Sequence, residues 1–597
     1  MIRTSRVAFL ATALVAGSSA LTSGCSSAGS GAPAAQDSER AGEIGLDLTV
    51  AGVTLNSASY VITGPGGYTK SGAIDLSNST SLSAVIGGIP VGTGYSISIT
   101  ASAADGSTSC AGSGSFNVAA HTTTPVTVNL TCHQASRTGS VLINGTLNVC
   151  PVVDGVSANP SEVLLGSSVA LSVSAHDADS GPSALAYHWS ASSGTFSDAS
   201  SATPSFKCVA PGSVTLTVTA SDGDPAPSCA DSSAVQIKCS LPGAGNTAAS
   251  TVAVYGDAPY GTTPTDTAEN LATPAFIASV NADPDVSLVL HVGDIHSGKQ
   301  FCTQAYDQLV FDLWKSYQDP VVYTPGDNEW ADCNKAGEGG GAYNSSTGMI
   351  DFVQSGGVPV DYANGDPLAN LALIRSMFFA QPGMTLGGQK QVLSQAQFFD
   401  PAHPSDAKFV ENVMFEQSKV LIVTINLPGG SNDDADVWYA APTATAAQLQ
   451  EVVERDGADL RWLDTAFTLA QANGDVAVLI STQADMWDPA NTVAHLANFE
   501  PYVRSVATHT LAFGKPVLMF SGDSHVYQSE NPLSASDPLA FLHPGYDVPN
   551  FHRVIVHGST FPLEWLKLKV DPAVNAPEGG LNSVSFGPFS WTRQIQP

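Results

Sequence analysis

Four apolar runs beyond position 250 of this 597-residue chain end in Gly-Asp. They are TVAVYGD at Asp257, SLVLHVGD at Asp294, VVYTPGDNE at Asp327 and VLMFSGDSH at Asp523, with His525 two residues further on. A carboxylate placed just past a run of β-branched residues sits beyond the C-terminal edge of a buried strand, where open α/β sheets bind their ligands. Several carboxylates and an imidazole around one such edge can hold a hard cation. Gly-Asp by itself says little, because Gly223-Asp224, Gly365-Asp366 and Gly474-Asp475 are explained by turn chemistry. The strand-ending pairs differ in following apolar runs, and the first three are 37 and 33 residues apart, one strand–helix–strand step each.

The elements that must position these residues are legible as alternating patterns. From position 251, TVAVYG, VSLVLHV, VVYTP, KVLIVTIN, DVAVLIS and PVLMFS read as strands. ENLATPAFIASVN, CTQAYDQLVFDLWKSY and a long segment over 443–473 read as helices between them, the last with Leu449, Val453, Leu460, Leu463 and Phe467 near one face. Alternation of this kind predicts a mainly parallel sheet over 251–575. FHRVIVHGS and LEWLKLKVD are expected to close it as antiparallel strands, and 576–597 is expected to be a patternless tail. Two earlier stretches, 44–134 and 148–240, alternate apolar residues with Thr and Ser between Gly, Asn and Pro, which predicts antiparallel sandwiches. Within the second, PSEVLLGSSVALSVSAHDADS, YHWSASSGTFS and GSVTLTVTASDGDP resemble the immunoglobulin-like PKD domain, with Trp189 as its core tryptophan. PGAGNTAAS, within 241–250, reads as a linker. The expected fold class is therefore multidomain: two N-terminal all-β sandwich domains followed by an α/β domain.

The order and spacing of the Gly-Asp motifs resemble the calcineurin-like metallophosphoesterase superfamily, which includes the purple acid phosphatases. Asp257 falls at its first motif, VGD with Asp294 at its second and GDNE at its third; VLISTQ with Gln483 falls at the fourth and GDSH at the fifth. The resemblance implies an α/β domain of metallophosphoesterase type, a β-sheet sandwich flanked by helices, and two divalent metal ions. Asp294 would bridge them, Asp257 and His525 would complete one, and Asp327, Gln483 and Asp523 would hold the other. The implied reaction is hydrolysis of a phosphate mono- or diester by metal-activated hydroxide.

This chain departs from the family pattern at several places. Pro259 stands where the first motif often has His, Asp327 replaces the third-motif Asn, and Asn328 replaces the His that assists the leaving group. Gln483 and Asp523 each replace a His. Oxygen donors in place of nitrogen donors shift the expected ions to Mn, Mg or Ca rather than Zn or Fe. His296 is the nearest replacement for the leaving-group acid, and catalysis is expected from Asp294, Asn328, His296 and His525. A different reading of the same losses is a catalytically impaired module that binds a glycan or protein. Tyr260, Lys299, Glu329 and Trp330 are expected around the site, and His291, inside an apolar strand, is expected in the core. Pocket walls are expected from 337–341 and 433–439. The only basic residues near the motif segments are Lys299, Lys335, Arg375 and Arg553, which favours a small phosphoester with a neutral body.

A net charge of −31 excludes nucleic-acid backbone binding, which needs clustered Lys and Arg. Arg3 and Arg6 precede the apolar run Val7 to Val15, and LTSGC leads to Cys25. This resembles a bacterial lipoprotein signal over 1–24, with lipid on the Cys25 thiol and a tether over 25–43. The protein is accordingly expected to be exported and lipid-anchored in the bacterial cell envelope, at the outer membrane or cell surface, with its β domains free to contact glycan or protein. The remaining eight cysteines form an even set, as disulfides in an exported chain require. Grouping pairs Cys110 with Cys132 and Cys302 with Cys333, leaving two bridges among Cys150, Cys208, Cys229 and Cys239.

Overall fold

Period-two alternation builds the two N-terminal domains of the computed structural model. It describes residues 41–49, 57–75, 81–103, 108–119, 123–134, 148–179, 181–226, 228–433 and 436–596. The signal segment, Cys25 and nearly all of the tether lie outside the described residues. In the strand Gly92–Ser102, Tyr95, Ile97, Ile99 and Ala101 point inward and the residues between them outward. A five-stranded sheet carrying this strand faces a three-stranded one, and their inner faces form one core. The second domain packs two four-stranded sheets over Val169, Leu171, Phe206 and Leu216. Trp189 sits in that core, its Nε1 donating to Ser201 O at 2.9 Å.

Four disulfides close loops, Cys110–Cys132, Cys150–Cys229, Cys208–Cys239 and Cys302–Cys333. The expected linker is not free. Leu241 is buried, Glu416 N donates to Pro242 O at 2.8 Å, and Gly245 N donates to Glu416 Oε1 at 3.2 Å, so this segment docks on the strand Val413–Gln417.

The remainder is built on two seven-stranded sheets. In the first, Ser250–Tyr255, Val286–His291 and Pro320–Tyr323 run parallel, and Glu564–Val570 pairs antiparallel with the first of them. In the second, Val420–Thr424, Ala477–Ser481, Val517–Ser521 and Phe551–Ile555 run parallel. These strands are buried on both faces and read as continuous apolar runs, as parallel strands covered on both sides must. Val252, Val254, Leu288 and Leu290 of one sheet meet Val420, Ile422, Leu479 and Phe520 of the other. The opposite faces pack on helices, Ala268–Asn281, Gln304–Trp314 and Pro367–Phe378 on the first sheet and Ala446–Asn473 and Glu500–Phe513 on the second. The result is a helix–sheet–sheet–helix layering.

Three expectations need correction. Phe551–Ile555 is parallel to its neighbour rather than antiparallel, because an all-buried run carries no information on direction. The segment 576–597 is not a patternless tail. Phe589–Ile595 pairs with Glu564–Val570, and Phe586, Phe589 and Trp591 are buried between the sheets. Its alternation is short and interrupted by Gly587-Pro588, which hides it. In the long helix, Thr445 caps the first turn and Gly474 ends it in a left-handed conformation, but Leu449 and Val453 are exposed, and Trp462, Leu463 and Phe467 pack on the sheet. Among the described residues, no helix is long and apolar enough to cross a membrane.

Candidate metal centre

The strand ends deliver their carboxylates through strained backbone. Asp257, Asp294, Asp523 and His525 have φ of 49°, 57°, 70° and 61°, a region that non-glycine residues seldom occupy and that collects at functional sites. The glycine before each Asp is there for clearance. A β-carbon on Gly326 would lie 1.8 Å from Asp294 Oδ1, and one on Gly522 would lie 2.5 Å from Asp257 Oδ2. Gly326 and Gly522 therefore each make room for another pair's carboxylate, whereas a β-carbon on Gly256 or Gly293 would meet Val292 or Gln483 instead.

Asp257 and Asp294 are fully buried. Asp257 Oδ1 accepts from Asp523 N at 2.9 Å and lies 3.7 Å from His525 Nε2, while Asp257 Oδ2 is buried with no hydrogen-bond partner. One ligand atom from each of Asp257, Asp294 and His525 lies within 4.8 Å of the others. Asp294 Oδ2 accepts three hydrogen bonds, from Tyr260 Oη at 2.5 Å, Asn328 Nδ2 at 3.0 Å and Gln483 Nε2 at 3.2 Å. Burial raises both carboxyls well above the ordinary range, and repulsion from neighbouring carboxylates (Asp327, Glu329 and Asp257 around Asp294) raises them further. Burial pushes the His525 imidazole down to about 4, so it is neutral at physiological pH and its lone pair is free to coordinate.

The other predicted ligands are arranged differently. Gln483 Oε1 accepts from Gly429 N, which fixes the amide's orientation and turns Nε2 toward Asp294 and Asp327, at 3.2 and 3.1 Å. Gln483 is thus a donor to two carboxylates and not an oxygen ligand, which corrects its expected role. A β-carbon on Gly429 would lie 2.6 Å from Asp327 Oδ2 and 2.8 Å from Asp523 Oδ1, so these carboxylates converge on one backbone position. Burial pushes Asp327 up to about 8, with Asp332 adding to the rise and Lys335 opposing it. Asp523 Oδ2 accepts from Asp485 N at 3.1 Å.

Asn328 reaches the centre and ties Asp294 to Tyr260, donating to Tyr260 Oη at 2.9 Å. His296 does not take the place of a leaving-group acid. Its Nδ1 faces Ser297 O, its Nε2 faces Cys302 Sγ at 3.6 Å, and its ring lies edge-on to Tyr306. His296, Cys302 and Cys333 cluster, but both sulfurs are in the disulfide and cannot act as thiolates. His291 is a core residue, as expected, with Nε2 2.9 Å from Ala258 O. Lys299 is exposed and Glu329 is buried, accepting from Tyr323 Oη and Gly326 N. The sequence reading missed Glu269, which accepts from Tyr260 N at 2.6 Å, and Asp485, which pairs with the buried Arg553. Asp485 follows the Ala477–Ser481 strand by four residues and is not preceded by a glycine, so it lacks the Gly-Asp signature of the other strand ends.

A cavity of about 480 Å³ opens between 334–342 and 436–441, and of the expected pocket walls only Gly341, Asp436, Val437 and Tyr439 line it. Its borders include Lys335, Asp436 and Tyr439.

No protein-family profile matches the chain, and no curated protein matches it. Among solved structures, the D0-D1 domain of intimin matches at 14% identity over 32% of this chain and 87% of its own, with a TM-score of 0.14. The fibronectin(III)-like modules of Clostridium thermocellum CbhA match at 19% identity over 33% of this chain and 86% of their own, with a TM-score of 0.13. Scores this low carry no argument about the site.

Proposed function

We propose that the C-terminal domain is a divalent-cation-dependent hydrolase of phosphate esters. The observation that carries this reading is Asp257 Oδ2, a carboxylate oxygen buried without a partner beside Asp294 and His525. Leaving such an oxygen unsatisfied costs on the order of 1–3 kcal/mol or more, which a cation would remove. Two carboxylates and a neutral imidazole fit a divalent ion, and the oxygen-rich set favours Mn, Mg or Ca. A bound ion there supplies Lewis-acid polarisation of a phosphoryl oxygen. One ion is proposed rather than two, because the Gln483 amide donates to both Asp294 and Asp327, where the resemblance would put the ligands of a second ion.

The chain's own residues do the rest. Tyr260, Asn328 and Gln483 hold the Asp294 carboxylate in place. Burial raises the Asp327 carboxyl to about 8 in the ion-free chain, and its Oδ2 faces the Gly429–Gly430 backbone beside the cavity. It is the group placed to protonate a departing oxygen, the role for which Asn328 has no acidic proton and His296 is misplaced. The test is turnover of aryl phosphomono- and diesters by the full chain with Mg, Mn, Ca, Zn and Fe(II) in turn. Hydrolysis with at least one ion, reduced at least ~100-fold in Asp294→Ala, is expected. No rate with any ion, or an unchanged rate in that variant, contradicts the reading.

A second reading, a cation-stabilised module that contacts a glycan or protein, is favoured by the Gln483 amide, which answers two carboxylates without any ion. In both readings four disulfides fit an oxidising compartment, and we place the chain outside the cytoplasm, anchored through lipid on Cys25.

A further inference from the structure

The 480 Å³ cavity is lined by Asp436, and Gly430 stands between that residue and the carboxylate centre. A β-carbon placed on Gly430 would lie 3.3 Å from Asp436 Oδ2, 3.8 Å from Asp327 Oδ2 and 3.9 Å from Asp332 Oδ1. Asp436 lines the cavity, Asp327 belongs to the centre, and one glycine separates them. A molecule with its phosphoryl group at the centre would therefore extend its organic group into this space.

The lining decides what that group is. Ala336, Ala342, Val437, Ala440 and Ala441 give it an apolar surface, and Tyr439 adds an aromatic ring. That ring is held in place. Tyr439 N donates to Asn334 Oδ1 at 2.6 Å, Tyr439 Oη donates to Asn364 O at 3.3 Å, and the ring stands edge-on to Phe352 at 5.8 Å. Tyr439 and Ala440 both adopt left-handed backbone, φ 58° and 51°, a strain that rigid surroundings must maintain. The single cation, Lys335, is already paired, its Nζ 2.6 Å from Asp332 Oδ2 and 3.5 Å from Asp436 Oδ2. Two carboxylates around one ammonium leave the border negative, so an additional phosphate on the organic group would be repelled. The volume suits a single ring or short chain, at the lower end of the ~300–1,000 Å³ typical of small-molecule sites.

We infer that this cavity is the subsite for the uncharged organic group of the ester, so that the preferred substrate is a phosphoester with a compact apolar or aromatic body and no second phosphate. The inference rests on the phosphoesterase reading for the phosphoryl end, and its test separates the two. Phenylphosphonate, methylphosphonate and methylenediphosphonate are titrated calorimetrically into the full chain in the presence of Mn. Phenylphosphonate is expected to bind at least tenfold more tightly than either of the others. Ala342→Trp, which fills the space, and Tyr439→Ala, which removes the ring, should each cut the phenyl preference to less than threefold while methylphosphonate binding stays unchanged. A melting curve for each variant identifies any that fails to fold, in which case the other decides. Equal affinities for the phenyl and methyl compounds, tighter binding of the diphosphonate, no binding of any, or a phenyl preference kept in the folded variants would each overturn the assignment. Absence of turnover with the phenyl preference intact would contradict the phosphoesterase reading alone. Turnover without that preference would contradict the subsite alone.

Discussion

The two halves of the carboxylate centre are made from the same strand-ending Gly-Asp pairs, yet their charge is answered in opposite ways. Around Asp257, Asp294 and His525 a buried oxygen is left without a partner. Around Asp327 and Asp523 the Gln483 amide, positioned by Gly429 N, donates into the space between Asp294 and Asp327. Burial raises the carboxyls on both sides, so desolvation is common to them and does not explain the difference. What differs is one side chain. An imidazole at 525 offers a lone pair, whereas an amide at 483 offers hydrogens. A motif can therefore keep its carboxylates while exchanging a cation for a neutral donor on one side only.

The sharpest way to separate the halves is Asp327→Asn, which removes an acidic proton from the side without a cation while leaving the other side intact. For esters with poor leaving groups kcat should fall on the order of 10²-fold, with far less loss for p-nitrophenyl esters, which leave without protonation. The alkaline limb of the wild-type pH profile should vanish in the variant. An equal loss for both ester classes would place Asp327 among the ion's ligands.

Gln483→His tests whether the amide is what keeps a second ion out. An imidazole there replaces two N–H donors with a lone pair facing Asp294 and Asp327, and the variant should bind one more equivalent of Mn or Zn than the parent by equilibrium dialysis. Unchanged stoichiometry would show that the side chain at 483 does not set the number of ions.

A smaller effect is expected in stability. Burial raises Asp327, Asp307 and Asp361 from the ordinary carboxylate range to about 8, so the folded chain binds more protons than the unfolded one between those limits. Their contribution is present below the unfolded value and is lost as pH rises through about 8. The metal-free protein should therefore melt lower at pH 9 than at pH 6, by on the order of 5 °C. Saturating divalent cation should restore part of that loss by binding the native state alone. A melting temperature that rises with pH would contradict the buried, uncompensated carboxyls.

Much of the centre was legible in the sequence, because an apolar run followed by Gly-Asp specifies both a parallel strand and the carboxylate at its end. Asp257, Asp294, Asp327 and Asp523 meet for that reason, and of the pocket walls expected at 337–341 and 433–439, Gly341, Asp436, Val437 and Tyr439 line the cavity. What was not legible depends on side-chain direction. Gln483 falls at a ligand position, but only the backbone N–H of Gly429 determines which end of its amide faces the acids. His296 lies two residues past Asp294, yet its ring turns into the disulfide. The Phe589–Ile595 strand escaped notice because its alternation spans few residues after Gly587-Pro588, and the direction of Phe551–Ile555 because uniform burial is silent on it.

The most direct test of the central claim is the amount of divalent metal held by the purified full chain and by Asp257→Asn, measured by equilibrium dialysis with Mn. The account predicts one equivalent per chain in the parent and none in the variant. Two equivalents in the parent, none in the parent, or one retained after Asp257→Asn would contradict it.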